Sequence, residues 1–464
     1  MPFAVQKIVK RIAIKTIWFL SLLFGCLTTQ AFANEDLHTL IKELRDQISD
    51  LRKQLNESNA CIGTLEQKLQ KQNTKREEAI ATSMRVDQSN KEEARPVAES
   101  NAKDATKIPG TNTSLTFGGF AKLNAIFNSV SVGANKFGDQ YLDIASIPVG
   151  PSRQGEHDQI NFHAKQSRLW FKSHTPSKLG DISTLIELDL FGSQDTYTPR
   201  LRHAFGSFGK FLGGQTWTTF ANSSAIPERL DFGIPVGGIE RRQPQIRWSQ
   251  PIVDNLVEMQ LAFEMPHGKV IKDMDTTIIT PGYDRYPDMV LRFNSNQDWG
   301  TVSLATLGRQ IRISEASGMN QKSWGGAISA AGRINIGTLD NIRFTFNYGN
   351  VLSPYVSTGA YADAAIKASG QMELITIHSG LLAYQRHWND QWRTNIIISH
   401  SHADLPAYVN DSLTRKAYSA HINLLWNPRP QILFGLEYLY ALRELQNNLN
   451  GDLSRFQFSS RFNF

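Results

Sequence analysis

The feature that most limits the fold of this chain is a regular alternation of apolar and polar residues, repeated from Phe117 to Phe464. In residues 342–348 one face carries Ile, Phe, Phe and Tyr, while the other carries Arg343, Thr345 and Asn347. Side chains alternate between the two faces of a strand, so the pattern predicts β-strands with one apolar face. Arginine on the other face excludes a dry interior, because an unpaired buried charge is costly. The sequence therefore predicts strands with lipid on one face and water on the other.

The alternation and the intervening turn residues predict an all-β transmembrane barrel of sixteen antiparallel strands. Short turns alternate with long loops between these strands, which is typical of a bacterial outer-membrane barrel. No stretch after residue 33 approaches 18 consecutive apolar residues, which excludes helical membrane spans. An even strand number leaves both termini on the short-turn side, which we expect to face the periplasm. The predicted strands are 115–128, 160–174, 182–191, 200–208, 211–220, 241–250, 256–264, 288–296, 301–313, 323–336, 342–349, 372–387, 391–402, 416–426, 431–442 and 454–464.

A heptad repeat precedes the predicted barrel, in a region that has no aromatic residue between Phe32 and Phe117. The repeat predicts an α-helical coiled coil over residues 34–76, on the periplasmic side. A single amphipathic helix packed on a domain is the alternative, but a stripe of two positions is narrow for it. Residues 77–112 are polar and predict a flexible linker, so the barrel occupies 113–464. The a positions are Ile41, Ile48, Leu55, Ile62 and Leu69.

The first 33 residues have the pattern of a secretory signal peptide. Four basic residues precede an apolar stretch, and Ala31-Phe32-Ala33 supplies a small-x-small cleavage site. A lipoprotein signal ending at Cys26 is the alternative. Because this leader contains no acidic residue, its removal lowers the formal charge of the chain from +6 to +2. That balance excludes a strongly basic nucleic-acid surface, and the one remaining cysteine, Cys61, excludes a disulfide within the mature chain.

Seven segments of the barrel region form a specific set in their order and spacing: GGFAKLN (118–124), HAKQSR (163–168), ELDLFG (187–192), LRHAF (201–205), GQTWTTF (214–220), PERLDF (227–232) and RRQPQIRW (241–248). This set resembles the DcaP-like trimeric porins of Gram-negative outer membranes. The resemblance implies a homotrimer of sixteen-stranded barrels in outer-membrane lipid, with a periplasmic coiled coil before each barrel. It also implies passive passage of small hydrophilic solutes, with a preference for anions such as dicarboxylates.

Strand parity identifies basic residues that we expect to line the pore and favour anions. For example, Leu201 and Phe205 facing lipid would turn Arg200 and Arg202 inward. An arginine or lysine facing lipid at the bilayer midplane costs about 2–4 kcal/mol, so we assign these basic side chains to the lumen and their apolar neighbours to lipid. The alternative is that these cations pair with acids such as Glu187 and only brace the wall. The predicted pore-lining residues are Arg168, Lys172, Arg200, Arg202, Arg241, Arg247 and Arg292.

The sequence leaves other functions open. An envelope tether would use the coiled coil to bind peptidoglycan or periplasmic proteins, with the barrel as anchor. An outer-membrane enzyme is a minor alternative, because no nucleotide-binding loop, zinc-protease motif or nucleophile elbow is present. His400, His402 and Asp404 could hold a metal at a loop edge, but we predict neither metal nor cofactor. Either loop 129–159 or loop 221–240 could narrow the lumen.

Overall fold

The computed structural model describes Lys42 and residues 106–464, apart from 132–135, 154–157, 254–255, 273–277, 282–283, 315–319 and 338. Chain contacts divide the protein into two units, Met1–Ala98 and Glu99–Phe464. The predicted signal peptide, the predicted coiled coil apart from Lys42, and most of the predicted linker lie outside the described residues.

A closed antiparallel barrel forms the second unit, and its described residues provide the sixteen strands that the sequence predicts. The first barrel strand, β2, pairs with the last, β22, from Phe120↔Asn463 to Asn128↔Arg455, which closes the sheet. β3 and β4 together form one barrel strand that is interrupted at residues 164–167, since both pair with β2. The strands are β1 (Thr106–Lys107), β2 (Ser114–Asn128), β3 (Gln159–His163), β4 (Arg168–Thr175), β5 (Ile182–Asp189), β6 (Arg200–Phe208), β7 (Phe211–Trp217), β8 (Arg242–Val253), β9 (Val257–Glu264), β10 (Val270–Ile271), β11 (Ile278–Ile279), β12 (Asp288–Gln297), β13 (Gly300–Ser314), β14 (Asn320–Ile336), β15 (Asp340–Gly349), β16 (Ala364–Ile366), β17 (Met372–Leu374), β18 (Ile377–His387), β19 (Trp392–Ala403), β20 (Thr414–Arg429), β21 (Ile432–Leu445) and β22 (Asn450–Asn463).

The apolar residues of the alternating pattern lie on the outer face of the barrel. Phe117 is 66% exposed, Ile246 64% and Leu436 60%, whereas polar neighbours in the same strands point inward and are buried. A soluble barrel would have the reverse arrangement, with its apolar face inside. The outer face is therefore a lipid-facing surface, as the alternation predicts.

Helices are few and short in the described part of the chain. An α-helix spans Lys136–Gln140, and 3-10 helices span Ile144–Ser146, Gly150–Arg153, Ser223–Ala225 and Ser357–Gly359. Within the same residues, no helix has the length and apolar character needed to cross a membrane.

A small inner sheet fills part of the barrel near the rim that bears the long loops, which we call the long-loop rim. Its strands are β10, β11, β16 and β17, contributed by the loops before β12 and before β18. Val270, Ala364 and Ile366 join a buried apolar cluster with Leu307 and Ile311 of the barrel wall. The strand predicted over 372–387 is thus wrong at its start, because β17 pairs with β16 and not with the wall.

A buried ionic network attaches this inner sheet to the wall. Arg309 of β13 pairs with Asp288 of β12 and lies 3.4 Å from Asp363, and all three side chains are fully buried. The Tyr355 hydroxyl donates to Asp288 at 3.1 Å. One buried cation between two carboxylates needs these extra bonds, because desolvation opposes every buried charge. The network fixes the loop before β18 against the inside of the barrel.

Candidate pore constriction

The loop between β7 and β8, residues 218–241, crosses the interior of the barrel, and we call it the inner loop. Near its start, Asn222 Nδ2 donates to Ser303 Oγ of β13 at 2.9 Å. Farther along, the Leu230 carbonyl accepts from Gln457 Nε2 of β22 at 3.0 Å, and the Gly237 carbonyl accepts from Asn347 Nδ2 of β15 at 3.1 Å. The inner loop therefore contacts well-separated parts of the wall and narrows the lumen.

The tip of the inner loop is anchored by buried charges. Asp231 accepts from Arg455 at 2.6 Å and from the Leu142 backbone N–H at 2.9 Å. Glu437 accepts from the backbone N–H groups of Leu230 and Asp231 at 2.8 and 3.1 Å. Burial would raise the pKa of Asp231, but the Arg455 charge and the Leu142 N–H outweigh it and hold the pKa below its usual value. The loop tip is thus held by a carboxylate that stays ionised.

Loop 129–159 contributes to the same anchor without crossing the lumen in this way. Its Leu142, Ile144 and Ile147 pack with Val236 of the inner loop in a buried cluster. The sequence left open which of the two loops narrows the pore. Tertiary contacts assign that role to the inner loop, with loop 129–159 as its support.

The first group of predicted pore residues is paired with wall carboxylates. Arg200 donates to both Asp189 oxygens, at 3.0 and 2.6 Å. Arg202 reaches Glu187 at 2.5 Å and Asp189 at 2.9 Å, while Arg168 lies 3.7 Å from Glu187. Two carboxylates thus neutralise two of these three charges. This group matches the bracing alternative more closely than an open basic surface.

Lys172 of β4 stands apart from this group. The residue is exposed, and its Nζ lies 4.6 Å from the centroid of the Trp170 ring. A cation over an aromatic face gains a modest attraction, about 0.5–1 kcal/mol at exposed sites. The contact orients Lys172 without neutralising it.

The second group of predicted pore residues, Arg241, Arg247 and Arg292, contacts only neutral acceptors. Arg241 donates to Gln243 Oε1 at 2.9 Å and to the Pro354 carbonyl at 3.2 Å. Arg247 donates to Thr219 Oγ1 and to the Trp217 carbonyl. Arg292 donates to the Ala221 carbonyl of the inner loop. Within the described ranges none of the three has a carboxylate within ion-pair distance, so none of their charges is neutralised by a salt bridge.

The list of predicted pore-lining residues left out a further set of inward arginines beside the inner loop. We call them the basic arc: Arg333, Arg343, Arg393 and Arg461, on β14, β15, β19 and β22. Arg333 and Arg343 are direct cross-strand partners, and Arg343 donates to the Ile226 carbonyl of the inner loop. Parity in the sequence places Arg343 and Arg461 on the polar face, since both alternate with outward aromatics, but it does not show that they lie beside the inner loop.

One inner-loop carboxylate, Glu228, faces the basic arc. Arg393 binds it through two bonds, with Nε at 2.6 Å and Nη2 at 2.5 Å from its oxygens. Arg461 and Arg343 also lie close enough for their charges to act on it. Burial opposes ionisation of Glu228, but Arg393 outweighs burial and lowers its pKa. Four arginines face one carboxylate, so the region keeps a net positive charge.

Comparison with known proteins accounts for most of the chain. Residues 38–464 match the model of a family described as DcaP outer membrane protein. The chain belongs to this family. The matched range extends N-terminal of the barrel and includes residues 38–76 of the predicted coiled coil.

One solved structure of a DcaP channel shows the same fold as this DcaP-family chain, and other porin structures align more weakly. The crystal structure of the outer membrane channel DcaP of Acinetobacter baumannii aligns with a TM-score of 0.68 and 19% identity, covering 77% of this chain and 99% of that one. An anion-selective porin from Comamonas acidovorans aligns at a TM-score of 0.48 and 11% identity, covering 76% and 100%. OmpF of Salmonella typhi, in complex with daunomycin, aligns at 0.49 and 9%, covering 77% and 100%. A search of the curated proteins gives no match.

Family and fold together make this DcaP-family protein an outer-membrane β-barrel of the porin type, which implies a channel and not an enzyme.

The histidines that the sequence offered as metal ligands, His400 and His402, lie near the end of β19. His402 Nε2 lies 3.0 Å from Asp404 Oδ1, and the rings of His378 and His402 stack at 4.9 Å. Across the described residues, no group of histidine, cysteine and acidic side chains has the geometry of a metal site.

Proposed function

We propose that this outer-membrane porin lets small hydrophilic anions, such as dicarboxylates, diffuse passively past the inner loop. The observation that carries the proposal is the excess of arginine charge along the constriction. Arg241, Arg247, Arg292, Arg333 and Arg461 have no carboxylate within ion-pair distance among the described residues. Arginine keeps its charge and can meet a carboxylate through two hydrogen bonds. Several such groups in sequence bind an anion weakly and pass it on.

The first test is single-channel conductance in a planar bilayer, with the reversal potential measured across a salt gradient. We expect open channels with anion preference, and reduced preference in the triple variant R333Q/R343Q/R461Q. The matched control is K178Q/K210Q/R429Q, which removes three exposed cations from the turns of the short-turn rim. Equal selectivity in both variants would contradict the proposal. Stable insertion without conductance would favour the envelope tether.

We also propose that the protein assembles as a homotrimer, with contacts at the side where the wall is short. β5, β6 and β7 have 8, 9 and 7 residues, whereas β14 has 17. Seven residues in a strand tilted about 40° rise only about 18 Å, which is less than the apolar band of about 25 Å. A second copy packed against this side would keep the edge of the short wall out of contact with lipid. Opening in three equal conductance steps is the expected result, and single steps only would contradict it.

The orientation proposed for the barrel places its short-turn rim, both termini and the coiled coil in the periplasm. Outer-membrane barrels have short periplasmic turns and longer outer loops. Protease added to intact cells is expected to spare an epitope tag inserted after residue 33 and to remove one inserted in loop 404–413. Loss of both tags from intact cells would contradict this orientation.

A further inference from the structure

A cavity of about 410 Å³ opens on the outer face of the barrel, near the long-loop rim. Cross-strand pairing fixes its walls, because Gln310 of β13 lies opposite Trp324 of β14, and Arg312 lies opposite Lys322. The intervening residues, such as Ile311, point inward and are buried. The cavity is lined by Arg285, Tyr286, Gln310, Arg312, Asn320, Lys322 and Trp324.

Among the described residues that line this cavity, the charged side chains are all cations, Arg285, Arg312 and Lys322. The neighbouring Asp284 accepts from the backbone N–H of Arg312 at 3.3 Å. In the described residues, Arg285, Arg312 and Lys322 form no ion pair, and Arg312 faces Lys322 directly across the strands. Like charges at directly opposed positions repel. An anion between them would remove this repulsion, so the cavity is electrostatically suited to a multiply charged anion.

A buried amide adds a second, independent observation. The Gln310 side chain is 5% exposed, and its Oε1 atom has no hydrogen-bond partner. A buried polar atom without a partner costs about 1–3 kcal/mol, so such atoms call for a specific explanation. Gln310 lines the cavity together with the cations. A turn of its amide towards the cavity would let a hydroxyl-bearing ligand satisfy the Oε1 atom.

The surface below the cavity is apolar and shallow. Gly308 and Gly326 are direct cross-strand partners, and an added Cβ on Gly308 would meet nothing within 4 Å. Leu304 and Ile328, farther from the rim on the same strands, are 54% and 52% exposed. The Tyr286 and Trp324 rings lie 5.6 Å apart at the cavity, and such aromatics mark the membrane interface. A hydrocarbon chain could lie on this glycine floor.

We propose that this cavity binds the phosphorylated headgroup of a glycolipid from the outer leaflet, with an acyl chain along the glycine floor. Phosphate matches the three cations, a sugar hydroxyl matches the Gln310 amide, and the chain matches the exposed apolar strip. The strands involved, β13 and β14, have 15 and 17 residues and form the tall part of the wall. The site therefore lies where the barrel spans the full membrane. The inference rests on the proposed orientation and is independent of ion selectivity.

The test is a native mass-spectrometric titration of the purified full-length protein with bisphosphorylated lipid A, against the same lipid after removal of both phosphates. We expect the phosphorylated lipid to bind at one copy per chain and the dephosphorylated lipid to bind weakly. R312Q/K322Q is expected to weaken binding about thirtyfold, from about 1 kcal/mol for each lost charge. R285Q, a loop change that touches no strand, is expected to weaken it several-fold. The control K178Q/R429Q removes two exposed cations at the short-turn rim and should bind like the parent protein.

Several results would overturn the proposal. Equal binding of the two lipids would mean general adhesion to the apolar surface. Equal loss in R312Q/K322Q and in K178Q/R429Q would mean that net charge alone matters. Full competition by inorganic phosphate would exclude the lipid as the specific ligand. Because R312Q/K322Q leaves the constriction untouched, its reversal potential should equal that of the parent, which separates this proposal from that of anion selectivity.

Discussion

Replacing Glu228 by Gln removes the carboxylate that faces the basic arc while keeping the shape of the side chain. Four arginines and one glutamate give this region a net charge of three, which the substitution raises to four. At about 5 Å in water, a unit charge contributes about 0.8 kcal/mol, or about a fourfold change in local anion concentration. Screening by salt and solvent would lower this interaction energy for fully exposed groups. The side chain of Glu228 is only 32% exposed and that of Arg393 only 14%, so the screening here is weaker.

The assay is the reversal potential of single channels across a potassium chloride gradient. We expect the chloride-to-potassium permeability ratio of E228Q to rise about fourfold at 0.1 M salt, and by less at 1 M, where the Debye length falls to about 3 Å. The control D181N removes a carboxylate that is 60% exposed at the short-turn rim. The ratio for D181N should stay near that of the parent. An unchanged ratio in E228Q, or a shift towards cations, would refute the assignment of Glu228 to the ion path.

Three further predictions concern the loops inside the barrel. R309M should destabilise loop 350–376 by about 3–5 kcal/mol, because the buried carboxylates of Asp288 and Asp363 lose their shared partner. Amide hydrogens of this loop should then exchange faster than in the parent protein, and unchanged protection would contradict the prediction. The lowered pKa of Asp231 means that its stabilisation is present above the ordinary aspartate pKa of about 4 and is lost as pH falls through the lower folded value. The protection factors of the inner-loop amides, which correct for the intrinsic pH dependence of exchange, should therefore be lower at pH 3 than at pH 6, and the drop should be smaller in D231N. G237A should displace the inner loop and change the conductance, because the added Cβ would lie 1.9 Å from the Gly380 carbonyl of the wall. The control G213A, whose added Cβ would meet nothing within 4 Å, should conduct like the parent protein.

The sequence predicted strand number and strand facing because both depend on local chemistry. Alternation records, residue by residue, which side chains meet lipid and which meet water, and the observed strands begin and end close to the predicted ones. Turn residues mark where each strand ends for equally local reasons. Parity then assigned the predicted arginines to the inner face without knowledge of their neighbours.

Parity failed where a strand is irregular. In the pairing of β5 with β6, Glu187 faces His203 and Leu188 faces Leu201, which leaves Arg202 as an extra residue in a bulge. Beyond the bulge the facing is reversed, so Phe205 pairs with Leu185, on the face of Glu187 and not on the lipid side. A bulge inserts one residue and leaves no signal in an alternating pattern. Arg200 and Arg202 therefore share carboxylates in a way that alternation alone could not show.

The sequence by itself determined a barrel, its strand number, its lipid-facing surface and a set of inward cations, because each follows from the polarity of neighbouring residues along the chain. Only the tertiary structure decided which loop enters the lumen and which cations stay unpaired. Contacts such as Leu230 with Gln457, or Glu228 with Arg393, join residues more than 150 positions apart. An ion pair depends on distances of a few ångströms between such residues, and no local pattern encodes them.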